Sequence, residues 1–409
     1  MDGLILKNIH ELVTCQEDRD RIRNGCIVIE DGIISAAGTM EEVYRDHGYE
    51  EIDCSKSAVL PGFIDSHTHF VFAGYRPDEF IMRQKGASYM DIMKAGGGIA
   101  STVEATRKAT LDELVRLGLE RADSMLGQGV TTVEGKSGYG LDKDTELKQL
   151  LAMKEIDAKH PVDVVATFLG AHSLPEDFRG NKSGYLDFLL QEVLPAVREH
   201  GLAEFVDIFC EEGVFDTSES EEYLRKAADL GFGIKIHADE IISTGGAELA
   251  ARLDAFSADH LLKVSGEGIR KMSESGVTAV LLPATAFCLR EDFADARRMI
   301  DSGCRVALAT DFNPGSSFTN SIPLVIALAS LKMDMTVDEI VRGLTINAAY
   351  ALGMQEFIGS IEPGKKADIS ILKYPTVDFL PYNTGMNQIS KVIKNGKVVY
   401  ERHEIGRIY

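Results

Sequence analysis

Eight short, almost continuously apolar runs, each followed by a longer amphipathic stretch, occupy the middle of the chain. They cover 62–67, 130–134, 162–169, 205–209, 233–237, 255–259, 279–282 and 306–310. Runs without polar alternation are expected of parallel strands covered on both faces, since a strand with one wet face would alternate. The segments between them read as helices. Over 110–127, Leu111, Leu114, Val115, Ala122, Met125 and Leu126 share one helical face, and Gly127 and Gly129 end it. Thr110 with Glu113 has the spacing of a capping box, which recurs at Ser218/Glu221 and Thr336/Glu339. Eight such units in about 300 residues close most economically into a parallel (β/α)8 barrel of the TIM type, an α/β fold. An open, doubly wound sheet is the competing topology.

The two ends of the chain read differently, as short β-type runs separated by turn signals such as Asp31-Gly32 and Asn395-Gly396. Neither end has enough strands for a stable sheet alone. Residues 1–58 and 361–409 are therefore expected to pair as one small β-sandwich domain beside a 59–360 barrel. Segment 70–109, with Gly96-Gly97-Gly98, is a long insertion after the first strand, the kind of loop that covers a barrel's site.

Composition narrows the partners. With 44% hydrophobic residues over 409 positions the chain can bury a large core. Its 43 basic against 64 acidic residues give a net charge of −21, which repels phosphate backbones and anionic lipid, so neither nucleic acid nor membrane is an expected partner. The six cysteines form no Cys-x-x-Cys pair, and no apolar run reaches the roughly 18 residues of a spanning helix. The expected location is the reducing cytoplasm.

The sharpest chemical signal is Asp65-Ser66-His67-Thr68-His69 at the end of the first run. A strand's period of two points His67 and His69 into the same volume, where they suit a divalent metal such as zinc. Of ten histidines, five fall at the C-terminal ends of candidate strands: His67, His69, His172, His237 and His260. Barrel enzymes build their sites at that end. The other five, His10, His47, His160, His200 and His403, lie in polar or terminal contexts that suit solvated side chains. Asp311, after the last strand, reaches the same rim and could be a fourth ligand. The fourth strand has no lysine to bridge two metals, so one metal is expected. A cation held by His67, His69, His237 and Asp311 lowers the pKa of a bound water from 15.7 towards about 7, which supplies a hydrolase's nucleophile. Glu240 and His260 are placed to move protons, as is Asp311.

Further blocks extend the pattern. They include Pro61-Gly62-Phe63-Ile64-Asp65-Ser66-His67-Thr68-His69, Lys136-Ser137-Gly138-Tyr139-Gly140-Leu141, Phe168-Leu169-Gly170-Ala171-His172, Lys235-Ile236-His237-Ala238-Asp239-Glu240, Ser257-Ala258-Asp259-His260-Leu261 and Asp311-Phe312-Asn313-Pro314-Gly315-Ser316. On these the chain resembles the amidohydrolase superfamily and, within it, the imidazolonepropionases. The resemblance runs across essentially the whole chain; Ala73, where glycine is usual, is one departure. It implies hydrolysis of 4-imidazolone-5-propanoate to N-formimidoyl-L-glutamate in histidine catabolism. It also implies zinc or iron on His67, His69, His237 and Asp311. Substrate contacts are implied for Arg76, Tyr139, His172 and Glu240, product contacts for Asn313, Gly315 and Ser316, and a homodimer. Arg76 would take the substrate's propionate. A deaminase of an aromatic base is a rival reading, against which Arg76 and Tyr139 speak. A catalytically inactive scaffold is another, against which the four candidate ligands and Glu240 speak.

Overall fold

The computed structural model describes residues 3–16, 20–86 and 97–402. The expectations for Gly96, for the rest of 87–96 and for 403–409, including His403, lie outside these residues.

Five strands precede the barrel: β1 Gly3–Val13, β2 Arg21–Glu30, β3 Ile33–Thr39, β4 Glu50–Asp53 and β5 Ala58–Pro61. Eight follow, each beginning within two residues of its apolar run: β6 Phe63–Asp65, β7 Val130–Lys136, β8 Asp163–Ala171, β9 Phe205–Cys210, β10 Gly233–Ala238, β11 Ser257–His260, β12 Thr278–Leu281 and β13 Val306–Leu308. Three more close the chain: β14 Ile369–Leu372, β15 Ile389–Lys394 and β16 Lys397–Glu401.

Strands β6 to β13 lie side by side in chain order, every pair parallel. An open doubly wound sheet would place the first strand inside the sheet. Here the segments that follow β6 and β13 meet instead, through a parallel bridge between Thr68 and Phe312. Asp311 N–H donates to His67 O at 3.0 Å, and His69 N–H donates to Phe312 O at 2.9 Å. Below this bridge the buried Asp65 carboxylate accepts from Thr310 N–H (2.9 Å) and Thr310 Oγ1 (2.6 Å). The ring is thus sewn shut at the residues that carry the expected chemistry.

The chain termini build a separate sheet ordered β16-β15-β14-β5-β1-β2-β3, with β4 on β1, as one continuous hydrogen-bonded ladder. Strand β5 pairs with β1 and β14, so the expected boundary between residues 58 and 59 falls inside a strand of this sheet. Both predicted hairpin turns form. Asp31 and Gly32 (φ 51° and 84°) and Asn395 and Gly396 (φ 47° and 76°) have the paired positive φ that a tight two-residue turn demands.

The helix predicted over 110–127 spans Leu111–Leu126, with Thr110 Oγ1 accepting from Glu113 N–H at 3.2 Å. Leu114, Val115, Ala122, Met125 and Leu126 are buried as expected, while Leu111 is only partly so. The capping box at Thr336/Glu339 is present. That at Ser218/Glu221 is not: Asp216 caps the helix, accepting from Ser218 N–H and Glu219 N–H, both at 2.9 Å, and Glu219 closes the box. A carboxylate two residues upstream outcompetes a hydroxyl because it also meets the positive end of the helix. Glu221 binds Arg225 and Arg252 instead. Among the described residues no helix is long and apolar enough to cross a membrane.

Candidate metal centre and active site

Closure of the barrel brings the five rim histidines together. The rings of His67 and His237 lie 4.7 Å apart, His67 and His69 5.4 Å, and His237 and His260 5.1 Å. His172 stacks on His69 at 5.1 Å and 16°. Asp311 Oδ1 is 3.6 Å from His67 Nε2 and 3.7 Å from His69 Nε2. Among the described residues three sets have ligand atoms within 4.8 Å of one another and share His67: His67/His69/Asp311 and His67/His237/His260 at the rim, and His67/Glu134/Asp259. His160, read as solvated, is largely buried instead, its ring bridging Asp123 and Val162 N–H.

The donor chemistry fits a metal ion. His67 Nε2 and His237 Nε2 are buried and have no hydrogen-bond partner among the described residues. Orphaned buried nitrogens are uncommon unless something else binds them. Burial holds His67 and His69 well below their usual pKa, reinforced by Lys136 at His67 and by His172 at His69. The neutral imidazole is the form that coordinates. At His237 burial pulls the same way, but Asp207 outweighs it and the net shift is upward. The opposite edges of the two rings face carboxylates from below: His67 Nδ1 is hydrogen-bonded to Asp259 Oδ2 at 2.6 Å, and His237 Nδ1 lies 2.9 Å from Asp207 Oδ2 without hydrogen-bond alignment. Such partners set the tautomer and leave Nε2 for the metal. Asp311 Oδ2 accepts from Thr285 Oγ1 at 2.6 Å, and burial pushes its carboxyl up to about 6.

Beneath the cluster Lys136 Nζ lies 2.8 Å from Asp207, 3.1 Å from Glu134 and 3.3 Å from Asp259, all fully buried. Lys235 Nζ pairs with Glu134 Oε2 at 2.8 Å. His67, Glu134 and Asp259 also have metal-like spacing, but the Lys136 ammonium already occupies that volume. One metal cation above and the Lys136 and Lys235 ammonium groups below is the arrangement the donors support.

The sequence reading missed this lower network. Its only trace is a set of single charges inside the apolar runs, Glu134, Asp207, Lys235 and Asp259, and Lys136 two residues beyond one of them. A charge in a strand buried on both faces must be paired. Which residues pair is unreadable before the strands are arranged in a ring.

Above the cluster is a cavity of about 330 Å3 lined by His69, Arg76, Arg83, Tyr139, His172, His237, Glu240, His260, Asp311, Asn313, Gly315 and Ser316, among others. Every candidate site residue except the deeper His67 faces it. A larger cleft of about 1340 Å3 lies far from this chemistry, at the start of β8, where Lys366 and Lys394 are both paired to Asp163 (3.0 and 2.8 Å).

Glu240 Oε1 lies 3.4 Å from His260 Nδ1. Burial, then Asp311, pushes Glu240 up to about 8, and burial holds His260 well below its usual value. The loop bearing Glu240 is anchored by Asp239, whose carboxylate accepts from Thr244, Gly245, Gly246 and Ala247 N–H at 2.8–3.3 Å. Asp239, His260, Leu261 and Asp311 all hold positive φ (50°, 76°, 61° and 49°). Such strain costs roughly 1–3 kcal/mol per residue and clusters at functional sites.

Tyr139 is pinned. Gly138, Gly140 and Leu141 N–H donate to Glu146 (3.0, 2.8 and 2.9 Å), and Tyr139 N–H donates to Gln149 Oε1 (3.0 Å). The flanking glycines permit close approach: a Cβ on Gly138 would meet Leu169 O at 2.7 Å, and one on Gly140 would meet Glu146 N at 2.6 Å. His172 Nδ1 meets Gly138 O at 3.1 Å, and burial lowers its pKa to about 3. Asn313 Oδ1 accepts from Gly315 and Ser316 N–H, both at 2.8 Å, so its amide oxygen is committed to the turn. A side chain at Gly315 would collide with Arg76 Nη1.

The comparisons with known proteins agree with this geometry. Residues 58–399 match the amidohydrolase family. An imidazolonepropionase of Clostridium tetani is 54% identical, over 98% of this chain and 99% of its own. That of Parabacteroides distasonis is 51% identical (97% and 98% covered), and that of Bacillus velezensis 49% (97% of both). The chain belongs to the imidazolonepropionase family of amidohydrolases. Among solved structures, an atrazine chlorohydrolase of Arthrobacter aurescens complexed with zinc superposes with a TM-score of 0.73 at 17% identity (97% of this chain, 95% of the other). An adenosine deaminase of Xanthomonas campestris with bound zinc gives 0.67 at 17% identity (97% and 92%). These two share the fold.

Proposed function

We propose that the chain hydrolyses the ring C–N bond of 4-imidazolone-5-propanoate, giving N-formimidoyl-L-glutamate in histidine catabolism. The observation that carries this reading is near-full-length similarity to imidazolonepropionases. The cavity supports it, since Arg76, Tyr139 and His172 face the same space as the histidine–aspartate cluster. In this reading His67, His69, His237 and Asp311 hold one zinc or iron ion. When bound, such an ion acidifies a water and polarises a carbonyl.

The residues around it handle substrate and protons. Arg76 faces the propionate, and Tyr139 and His172 hold the ring. Asp311 takes a proton from the water that adds to the ring carbonyl carbon. Glu240, protonated near neutrality by its raised pKa, gives its proton to the ring nitrogen as the C–N bond breaks. His260, neutral and 3.4 Å from Glu240, orients that carboxyl and donates to the developing oxyanion. Deamination of an aromatic base has no use for Arg76, and the adenosine deaminase shares only the fold, at 17% identity against 49–54% for the imidazolonepropionases. An inactive scaffold has no need of a pinned Tyr139 or a raised Glu240. We place the protein in the cytoplasm, which suits its six free thiols, and expect a homodimer.

Metal analysis with a turnover assay on wild type and His237→Ala tests the reading. The variant should lose both bound metal and imidazolonepropionate hydrolysis. Normal turnover by the variant would remove the ligand assignment, and an inactive metal-loaded wild type would remove the substrate.

A further inference from the structure

Arg76 does not stand alone at its end of the cavity. Its Nε and Nη2 bind Glu79 Oε1 and Oε2 at 2.9 and 2.6 Å, and Glu79 Oε1 also accepts from Gly98 N–H at 2.9 Å. Glu79 is buried, so this pair is poorly screened and its charges largely cancel. It orients the guanidinium but contributes little net attraction for an anion. Among the described residues no carboxylate forms an ion pair with Arg83, which lies one turn beyond Glu79 on the helix Pro77–Gln84. Arg83 lines the cavity with Arg76. Its Nη2 donates to Gly315 O at 2.7 Å, which binds it to the turn against which Arg76 Nη1 rests. Its Nε is buried and has no hydrogen-bond partner among the described residues. A guanidinium N–H without an acceptor is uncommon in a folded protein, and a planar carboxylate is the acceptor that such a fork fits best.

We propose that Arg83 is the second cation of the subsite that receives the substrate's carboxylate, and that it sets the preference for a substrate with an anionic tail. The proposal rests on the imidazolonepropionate reading above. Arg76, locked by Glu79, supplies direction; Arg83, which lines the same cavity, supplies net charge. Neither role touches the bond that breaks, so Arg83 acts on binding and leaves the chemical step unchanged.

The test compares wild type, Arg83→Met and Arg83→Lys on 4-imidazolone-5-propanoate and on its methyl ester, which lacks the charge. Met keeps the apolar stem of the side chain and removes the charge. For Arg83→Met, KM for the acid should rise about 10- to 100-fold, the range expected for loss of one charge-assisted contact, with kcat within about twofold. KM for the ester should stay within about twofold of wild type. Arg83→Lys should recover part of the preference for the acid. An equal rise for acid and ester would mean a merely structural role and overturn the proposal, as would an unchanged KM for the acid. A wild type that turns over neither compound overturns the substrate reading and this proposal with it. A wild type that prefers the acid, beside an Arg83→Met variant that still does, overturns the proposal alone.

Discussion

Replacing Asp259 by asparagine should weaken metal binding while leaving the fold as stable as before, or more so. Asp259 Oδ2 meets His67 Nδ1 at 2.6 Å in a fully buried site. A charge-assisted hydrogen bond of this kind is worth about 1.5–3 kcal/mol. At 1.36 kcal/mol per decade, losing it entirely would weaken binding by roughly 10- to 150-fold. Asparagine retains a neutral acceptor, so the expected loss is about 10- to 50-fold, within the usual range for partners of metal-binding histidines. Stability moves differently. The network holds three carboxylates, Glu134, Asp207 and Asp259, against two ammonium groups, Lys136 and Lys235. Burial raises the Asp259 pKa above its ordinary value. A carboxyl raised in the folded state binds protons that the unfolded chain has released, so its ionised form costs stability above the unfolded pKa of about 3.9. Asparagine removes that cost, and Lys136 keeps Asp207 at 2.8 Å and Glu134 at 3.1 Å. Metal affinity by competition with a chelator and denaturant unfolding of the metal-free protein at pH 7 measure the two effects. Affinity within threefold of wild type, or a stability loss above about 2 kcal/mol, would show that Asp259 does not act through the His67 tautomer and that the network is not over-supplied with negative charge.

Glu240 sets an expectation for the pH profile. With its pKa pushed up to about 8 it is a proton donor below that pH and spent above it. The value of kcat/KM should therefore fall about tenfold per unit on the alkaline side, and Glu240→Gln should abolish that limb together with about 10²- to 10⁴-fold of kcat; an unchanged alkaline limb in the variant would assign it elsewhere. Gly315→Ala places a methyl group on Arg76 Nη1, so KM should rise about tenfold or more with little change in melting temperature, while an unaltered KM would mean that Arg76 does not contact substrate.

The sequence by itself determined the eight strands, because parallel strands covered on both faces need unbroken apolar runs and those runs are local. It also determined that His67 and His69 share a face, since a strand's period of two is fixed by backbone geometry. Local rivalry limited it elsewhere: Asp216 displaced Ser218 as the helix cap, a competition that a spacing rule does not weigh. Only the tertiary structure decided that the sheet closes, because the hydrogen bonds between the His67–His69 and Asp311–Phe312 segments join residues more than 240 positions apart. The same holds for the partners of Lys136 and of His67, and for the Arg83–Gly315 contact, 232 positions apart, that holds Arg83 at the cavity wall. Charge pairing depends on distance in space, which chain order does not encode until the ring of strands is complete.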